Sequence, residues 1–405
     1  MDKKAIENIV LDRGTEMVYP DKDFLRAKLS KGEKLRVYLG VDPTGELHIG
    51  HTVPLRKLRH FQLLGHHVIL LIGSFTAQIG DPTDKSQTRK QLTKEQVIAN
   101  AKNYVAYAQC VLDFEAENKP EIVFNGDWLE ALSFKDVVEL ASHFTVQQMI
   151  ERDMFVNRLQ RNLPIGLHEF LYPLMQAYDS VVLEVDVEVG GSDQTFNMLA
   201  GRKLLEQYKG KEKVVLTVPL LTDNLGKKMG KTEGNAVFLN LSADDMYGSL
   251  MSLSDGFLRN MFLLATDVSV SEIDQMMESI SRGENPMIYK KRLAYELTRM
   301  FHGEQAALSA QEKFEKVVQG NAMPDDIPTA VVDAQRIMAR DLLVSTGLAR
   351  SNAEAKRLIE EGAVALFVDG VENKKTDPKE ELDVVSGMVV KVGKRRYYRI
   401  EIGNK

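Results

Sequence analysis

Two rhythms of apolar and polar positions alternate along the first half of the chain. Residues 35–41, 67–72, 121–124, 181–189 and 214–218 are short apolar, mostly β-branched runs that predict buried strands. Between them, 53–64, 94–112 and 134–143 carry apolar residues at helical spacing. Gly65, Gly73 and Gly190-Gly191 close three of these segments. This alternation predicts an α/β fold with a parallel sheet and crossover helices. In such sheets a ligand sits beyond the carboxyl ends of the strands, where the strand order reverses.

From residue 242 the pattern is helical only, over 243–252, 255–264, 271–282 and 286–314. Residues 319–328, rich in turn formers, predict a linker before a compact tail at 331–405. In that tail 348–359 predicts a capped helix, 362–370 a strand and turn, and 389–392 with 397–400 a terminal hairpin. At 405 residues, two or three domains are expected rather than one core. A net charge of -6 argues against wholesale coating of nucleic acid, yet Lys391, Lys394, Arg395, Arg396 and Arg399 gather basic charge beside Tyr397 and Tyr398. The lone Cys110 excludes an internal disulfide, and its apolar neighbours predict a packed, inert thiol. Residues 1–13 lack the apolar core of a signal peptide, and no apolar run reaches the ~20 residues that cross a bilayer. The expectation is a cytoplasmic protein with no membrane partner.

The chemistry is concentrated in a few stretches. Asp42-Pro43-Thr44-Gly45-Glu46-Leu47-His48-Ile49-Gly50-His51 joins a predicted strand to a predicted helix. Its glycines permit a tight turn, and Gly50 would let a flat adenine ring approach the backbone. The helix start favours anions, and His48 and His51 can donate hydrogen bonds to phosphate oxygens. Far downstream, Gly226-Lys227-Lys228-Met229-Gly230-Lys231-Thr232 is a glycine-rich loop with three lysines, able to close over a triphosphate and stabilise pyrophosphate as it leaves. Its spacing is not that of a Walker loop. Tyr172, Gln176 and Asp179 stand at i, i+4 and i+7, so a helix puts three polar groups on one face among Phe170, Leu171, Leu174 and Met175. Gly190-Gly191-Ser192-Asp193-Gln194 follows a strand; its glycines allow close approach of a ribose, whose hydroxyls Asp193 can accept from.

The His-Ile-Gly-His and Lys-Met-Gly-Lys-Thr elements resemble the two signatures of class I aminoacyl-tRNA synthetases. With Tyr38, Gly80-Asp81-Pro82-Thr83, Tyr172…Gln176…Asp179 and Gly190-Gly191-Ser192-Asp193-Gln194, the resemblance narrows to the bacterial tyrosyl-tRNA synthetases and covers nearly the whole chain. Gly230 departs from the class, which has serine there. The resemblance implies a Rossmann-like catalytic domain over 1–240, a helical tRNA-contacting domain over 241–320 and a small α+β RNA-binding domain over 331–405. It implies that Tyr38 and Asp179 bind the phenolic hydroxyl of L-tyrosine, while Asp81, Tyr172 and Gln176 hold its ammonium group and Gln194 its carboxylate region. A site of this kind rejects phenylalanine by roughly 10⁵, a magnitude for which this family is itself the standard example.

For ATP, the resemblance implies Gly40, Asp42, His48, Gly50, His51, Gly191 and Asp193, with Lys85, Arg89, Lys228 and Lys231 around the phosphates. Thr44, His48, His51, Lys228, Lys231 and Thr232 are the implied catalytic set, with Mg²⁺ accompanying ATP and no protein metal cage. The tail resembles a small RNA-binding module shared with a ribosomal protein, which implies phosphate contacts from Arg350, Lys356, Arg357, Lys394, Arg395 and Arg396. Its partners would be the tRNA for tyrosine and a second copy of the chain in a homodimer. The expected reaction is activation of tyrosine to tyrosyl-adenylate and transfer to the tRNA 3′ end. Two rivals stand beside it: a tryptophan-activating relative, which would not need the Tyr38/Asp179 clamp, and an RNA-binding protein with a vestigial site.

Overall fold

The computed structural model describes residues 3–82, 92–316, 327–368, 371–393 and 396–403. The chain divides into two compact units, Met1–Ala307 and Leu308–Lys405. In the first, six strands form one sheet: β1 (Met17–Tyr19), β2 (Arg36–Val41), β3 (His67–Ile72), β4 (Glu121–Phe124), β5 (Val187–Gly191) and β6 (Val214–Val218). Their order is β1-β6-β5-β2-β3-β4. β1 is the antiparallel edge and every other pairing is parallel. The chain runs outward through β2, β3 and β4 on one side and through β5 and β6 on the other. The order therefore reverses between β2 and β5, and the crevice at their carboxyl ends is the natural place for a ligand.

Helices cover both faces, which is why β3 and β6 read as unbroken apolar runs; Val68–Ile72 and all of Val214–Val218 are buried. The helix Thr52–Leu63 packs on the sheet through Leu55, Leu58 and Phe61. It also carries Lys57, buried at 3% exposure, whose ammonium donates to the carbonyls of Ile9, Val10 and Arg13 at 2.9, 3.2 and 2.6 Å. Ile9 and Val10 are in the last turn of the helix Lys3–Leu11 and Arg13 is just past it, so one buried side chain from a second helix closes this helix end.

The strand expected at 181–189 is shorter and starts later. Val181 lies in the last turn of the helix Leu167–Leu183, and Glu184 ends that helix in the left-handed region at φ 45°. Val181 packs with Leu140, Leu174, Ala177 and Leu204, and this burial overrides its β preference. The helix expected at 286–314 is two, Met287–His302 and Glu304–Phe314, broken at Gly303 with φ 83°. Cys110 lies just past the helix Lys94–Ala108 and is exposed, not packed. Burial of part of its surroundings pushes the thiol up from its ordinary value, so it stays protonated all the same.

Within the second unit, β7 (Thr329–Val332), β8 (Arg336–Met338), β9 (Val364–Val368), β10 (Val371–Lys375), β11 (Glu381–Asp383), β12 (Val389–Val392) and β13 (Arg396–Ile402) form a five-stranded sheet, order β10-β9-β12-β13-β7, and a β8–β11 pair. The helix expected at 348–359 is Asn352–Glu360, because Ser351 caps it by accepting from the Glu354 N–H. The expected linker at 319–328 lies outside the described residues apart from Ile327 and Pro328.

Burial makes the first unit sensitive to acid. His66, 6% exposed, is lowered to about 4 and His60 to about 3, in each case chiefly by desolvation. A histidine depressed in the folded state binds its proton more readily when unfolded, so stability is lost as pH falls from ~6.5 toward these values. For His66 the loss at pH 5 is about 2 kcal/mol. Urea melts at pH 7.5 and 5.0 are expected to show this loss, and His60→Gln is expected to flatten the pH dependence. Equal stability at the two pH values would contradict it.

Candidate active site

Beyond the carboxyl ends of β2 and β5 lies a cavity of about 370 Å³. At its inner end are Tyr38 and Asp179, only 1% and 2% exposed. Tyr38 comes from β2 and its hydroxyl lies 3.1 Å from Ser180 Oγ. Burial, then the charges of Glu188 and Asp179, push its ionisation well above 10, so it remains a neutral O–H donor. Asp179 accepts from Trp128 Nε1 at 2.9 Å and Asn125 Nδ2 at 3.3 Å. Burial still holds its carboxyl well above the usual range against those two donors.

The middle of the cavity is a polar lattice. Tyr172 donates to Asp42 Oδ2 at 2.8 Å and Thr76 to Asp42 Oδ1 at 2.7 Å, while Asn125 donates to Thr76 Oγ1 at 3.0 Å. Gly73, which ends β3, has to be glycine: a β-carbon would overlap the Asp42 carboxylate and the Thr76 hydroxyl. Gln194 donates to Asp81 Oδ2 at 2.7 Å, and the Arg152 guanidinium stands 3.8 Å from Asp81. Asn197 spans Gln176 Oε1 and Gln194 Oε1, each at 3.0 Å. Tyr172, Gln176 and Asp179 do share one face of their helix, and all three line the cavity with Asp42, Asp81 and Glu188. Four carboxyls around a neutral phenol suit a guest with an ammonium group and a hydroxyl.

At the mouth the two signature loops meet. Ile49 N donates to Val237 O at 3.0 Å and Leu239 N to Leu47 O at 2.8 Å, so the histidine turn is laced to the segment after the lysine loop. His48 Nδ1 accepts from Gly50 N at 3.2 Å, which leaves its Nε2–H as the outward donor. Burial, then His51 and Lys228, lower His48 to about 3. His51 keeps an open edge, and packing around the rest of its ring lowers it to about 4. Both imidazoles are neutral donors near pH 7, and Lys228 supplies the positive charge. Gly50 has a local reason as well as the expected one: a β-carbon there would stand 2.9 Å from His48 Cε1.

The lysine loop is anchored by Met229, 2% exposed, and by Asn235, which accepts from Gly230 N at 2.9 Å and donates to Lys228 O at 3.1 Å. Lys228 reaches the cavity with Gly40, Thr44, Gly191 and Asp193. Lys231 and Thr232 are exposed and do not line it. Thr83, Lys85 and Arg89 lie outside the described residues. In the second unit Arg350, Lys356 and Arg357 are exposed; Lys356 and Arg357 approach Glu360 and Glu361 one turn on, at 3.7 and 3.9 Å. Arg396 donates to Leu348 O at 2.8 Å, and Lys394 and Arg395 lie outside the described residues.

Sequence reasoning missed Thr76, Asn125, Trp128, Ser180, Glu188, Asn197 and Lys213. A signal existed for two of them: Glu188 interrupts the apolar Val187–Val189 run, and Trp128 is the sole tryptophan. Among the described residues no group of three His, Cys, Asp or Glu is arranged to hold a metal ion, and no helix is long and apolar enough to cross a membrane.

Residues 30–319 match the family described as tRNA synthetases class I (W and Y), and residues 319–400 match a tyrosine--tRNA ligase SYY-like C-terminal domain. The tyrosine--tRNA ligase of Moorella thermoacetica is 44% identical over 96% of this chain and 94% of its own. That of Thermotoga maritima is 44% identical over 97% of both chains. A C-terminally truncated mitochondrial tyrosyl-tRNA synthetase of Coccidioides posadasii superposes with a TM-score of 0.63 at 27% identity, covering 76% of this chain and 91% of that one. A match of this extent leaves one assignment: the chain belongs to the class I tRNA synthetases (W and Y), in the tyrosine--tRNA ligase family.

Proposed function

We propose that this cavity activates L-tyrosine with ATP and that the same site passes the tyrosyl group to the 3′ end of its tRNA. Tyrosine enters ring first. Its phenol lies between Tyr38 and Asp179, its ammonium among Asp81, Tyr172 and Gln176, and its carboxylate near Gln194, facing the mouth. ATP lies across Gly40, Asp42 and Gly50, with its ribose on Gly191 and Asp193 and its phosphates toward Thr44, His48, His51 and Lys228. Lys231 and Thr232 join the phosphates from outside the cavity, and the sequence motif assigns Lys85 and Arg89 to the same phosphates. A tyrosine carboxylate oxygen attacks the α-phosphorus, the bond to the β-phosphate bridging oxygen breaks, and pyrophosphate leaves. A terminal ribose hydroxyl of tRNA then attacks the acyl carbon and AMP departs. Catalysis is positioning and charge stabilisation, with no covalent enzyme intermediate. Mg²⁺ travels with ATP, held by phosphates and water.

The observation that carries this reading is the pairing, at the closed end of one cavity, of a neutral buried tyrosine with a buried carboxyl, while the open end presents two neutral imidazoles and a lysine. That arrangement favours tyrosine over tryptophan, and intact His48, His51 and Lys228 disfavour a vestigial site. Pyrophosphate exchange is expected with tyrosine and not with tryptophan; exchange with tryptophan alone would refute it. Function would be divided among a catalytic part at 1–240, a tRNA-contacting helical part at 241–320 and an RNA-binding part at 331–405, in the cytoplasm. A homodimer is supported by Phe134, Val138 and Leu167, 85%, 54% and 81% exposed on two helices that pack together. Sedimentation as a monomer at micromolar concentration would exclude it.

A further inference from the structure

Behind the phenol end of the cavity lies a lysine that the reaction does not use. Lys213 immediately precedes β6 and is entirely buried, with its side chain 0% exposed. Its ammonium donates to Ser180 Oγ at 2.8 Å and pairs with the Glu188 carboxylate on β5, itself 3% exposed. Glu188 Oε1 in turn accepts from Gln176 Nε2 at 3.3 Å. Ser180 Oγ is the atom that stands 3.1 Å from the Tyr38 hydroxyl, and the ammonium also lies 5.9 Å from the centre of the Tyr38 ring. Three groups of the cavity wall, Tyr38, Glu188 and Gln176, are thus tied to one cation outside it.

The fold makes room for this cation. A β-carbon on Gly201 would stand 2.7 Å from the Lys213 ammonium, 2.8 Å from Ser180 Oγ and 3.5 Å from Ala177 Cα. The helices Leu167–Leu183 and Thr195–Lys209 therefore approach over a glycine, and the space left is filled by the ammonium. Removing a lysine and its carboxylate from water is costly unless both are fully hydrogen-bonded, so an apolar pair of similar volume would serve packing at least as well. What the charges add is direction. The ammonium is a donor only, so Ser180 accepts from it through one lone pair. The Ser180 O–H and its second lone pair remain for the Tyr38 hydroxyl, which also bonds the Glu188 side chain, so its orientation at the cavity floor is fixed by two groups that Lys213 holds.

We infer that Lys213 is a positioning residue for substrate choice: through Ser180 it orients the Tyr38 hydroxyl, and through Glu188 it holds Gln176, so that the floor of the cavity meets a phenol rather than a bare ring. This rests on the assignment of Tyr38 and Asp179 to the phenol.

The test is tyrosine- and phenylalanine-dependent pyrophosphate exchange by the full chain carrying Lys213→Met, Lys213→Met with Glu188→Gln, or Tyr38→Phe, with a thermal melt of each. Lys213→Met is expected to raise KM for tyrosine about tenfold or more and to lower the tyrosine-to-phenylalanine ratio of kcat/KM by about the same factor, with kcat within threefold. The double variant carries no unpaired charge and is expected to recover the melting temperature but not the ratio. A ratio within twofold of the parent in Lys213→Met overturns the inference. So does a double variant that regains both stability and discrimination, since charge balance alone would then suffice. If Tyr38→Phe keeps the ratio, the assignment of the phenol site fails; if Tyr38→Phe loses it and Lys213→Met does not, only the role of Lys213 fails.

Discussion

Asp179→Asn is expected to lower kcat/KM for tyrosine by roughly 10³-fold, mostly through KM. The Asp179 carboxyl already accepts from Trp128 Nε1 and Asn125 Nδ2 and is only 2% exposed. An amide of the same shape offers one oxygen, so its NH₂ must face one of two donors. The buried mismatch costs about 1–3 kcal/mol, and losing the carboxyl's hydrogen bond to the phenol adds a comparable amount. Together these reach about 4 kcal/mol, which is three decades in rate. The fold should tolerate the change, because the volume is unaltered. Tyrosine-dependent pyrophosphate exchange over a range of tyrosine concentrations measures it, and a KM within threefold of the parent would remove Asp179 from the phenol site.

His48→Ala is expected to lower kcat for the activation step by about 10²–10³, while tyrosine affinity stays within twofold. The reasoning starts from the tautomer. Gly50 N donates to Nδ1, so the proton sits on Nε2 and points out of the turn. A neutral donor fixed in this way meets an oxygen that gains charge as the α-phosphate is attacked, and it needs no reorganisation at that moment. Because His48 is lowered to about 3, its donor role should persist unchanged from pH 8 to pH 5; it does not depend on an imidazolium. Rapid-quench measurement of adenylate formation, with equilibrium dialysis of tyrosine, separates the two quantities. A loss confined to tyrosine binding would put His48 in the wrong role.

The sheet was legible chiefly because its central strands are buried on both faces and therefore continuously apolar; the edge strand Glu121–Phe124 is only part-buried. His67–Ile72, Glu121–Phe124 and Val214–Val218 fall where the pattern puts them. The pattern misled at Val181 and Val182, where valines finish a helix: Val181 is packed against the neighbouring helices, and Val182 follows it in the last turn with its side chain exposed. In the site, the residues that touch the cavity in sequence clusters were visible from local chemistry: a turn with two histidines, a helix face with three polar groups, a glycine pair before an aspartate. The second layer was not. Asn125, Ser180, Asn197 and Lys213 are single polar residues in ordinary surroundings, and each takes its meaning from a partner 21 to 142 positions away in the chain. No periodicity encodes such pairs. Lys213 in particular reads as a surface residue opening a strand, and is instead among the most buried side chains in the molecule.

Tyr38, Gly40 and Asp42 follow one another at every second position of β2 and its exit, so they project to one side of a single rigid strand. Gly40 leaves the middle of that side bare. The strand is therefore a ruler, with a mark at each end and a blank between, about 13 Å of backbone from Tyr38 to Asp42. In the proposed binding mode an amino acid would be measured against it from the ring inward. One whose side chain is a ring too long would seat its aromatic end and then overshoot, carrying its carboxylate past the histidines; one too short would leave that carboxylate below them. Length would then be checked at the place where the bond is made: β2 and its exit carry the gauge, and the turn that follows carries, six residues beyond Asp42, the first of the groups that would act on what it has measured.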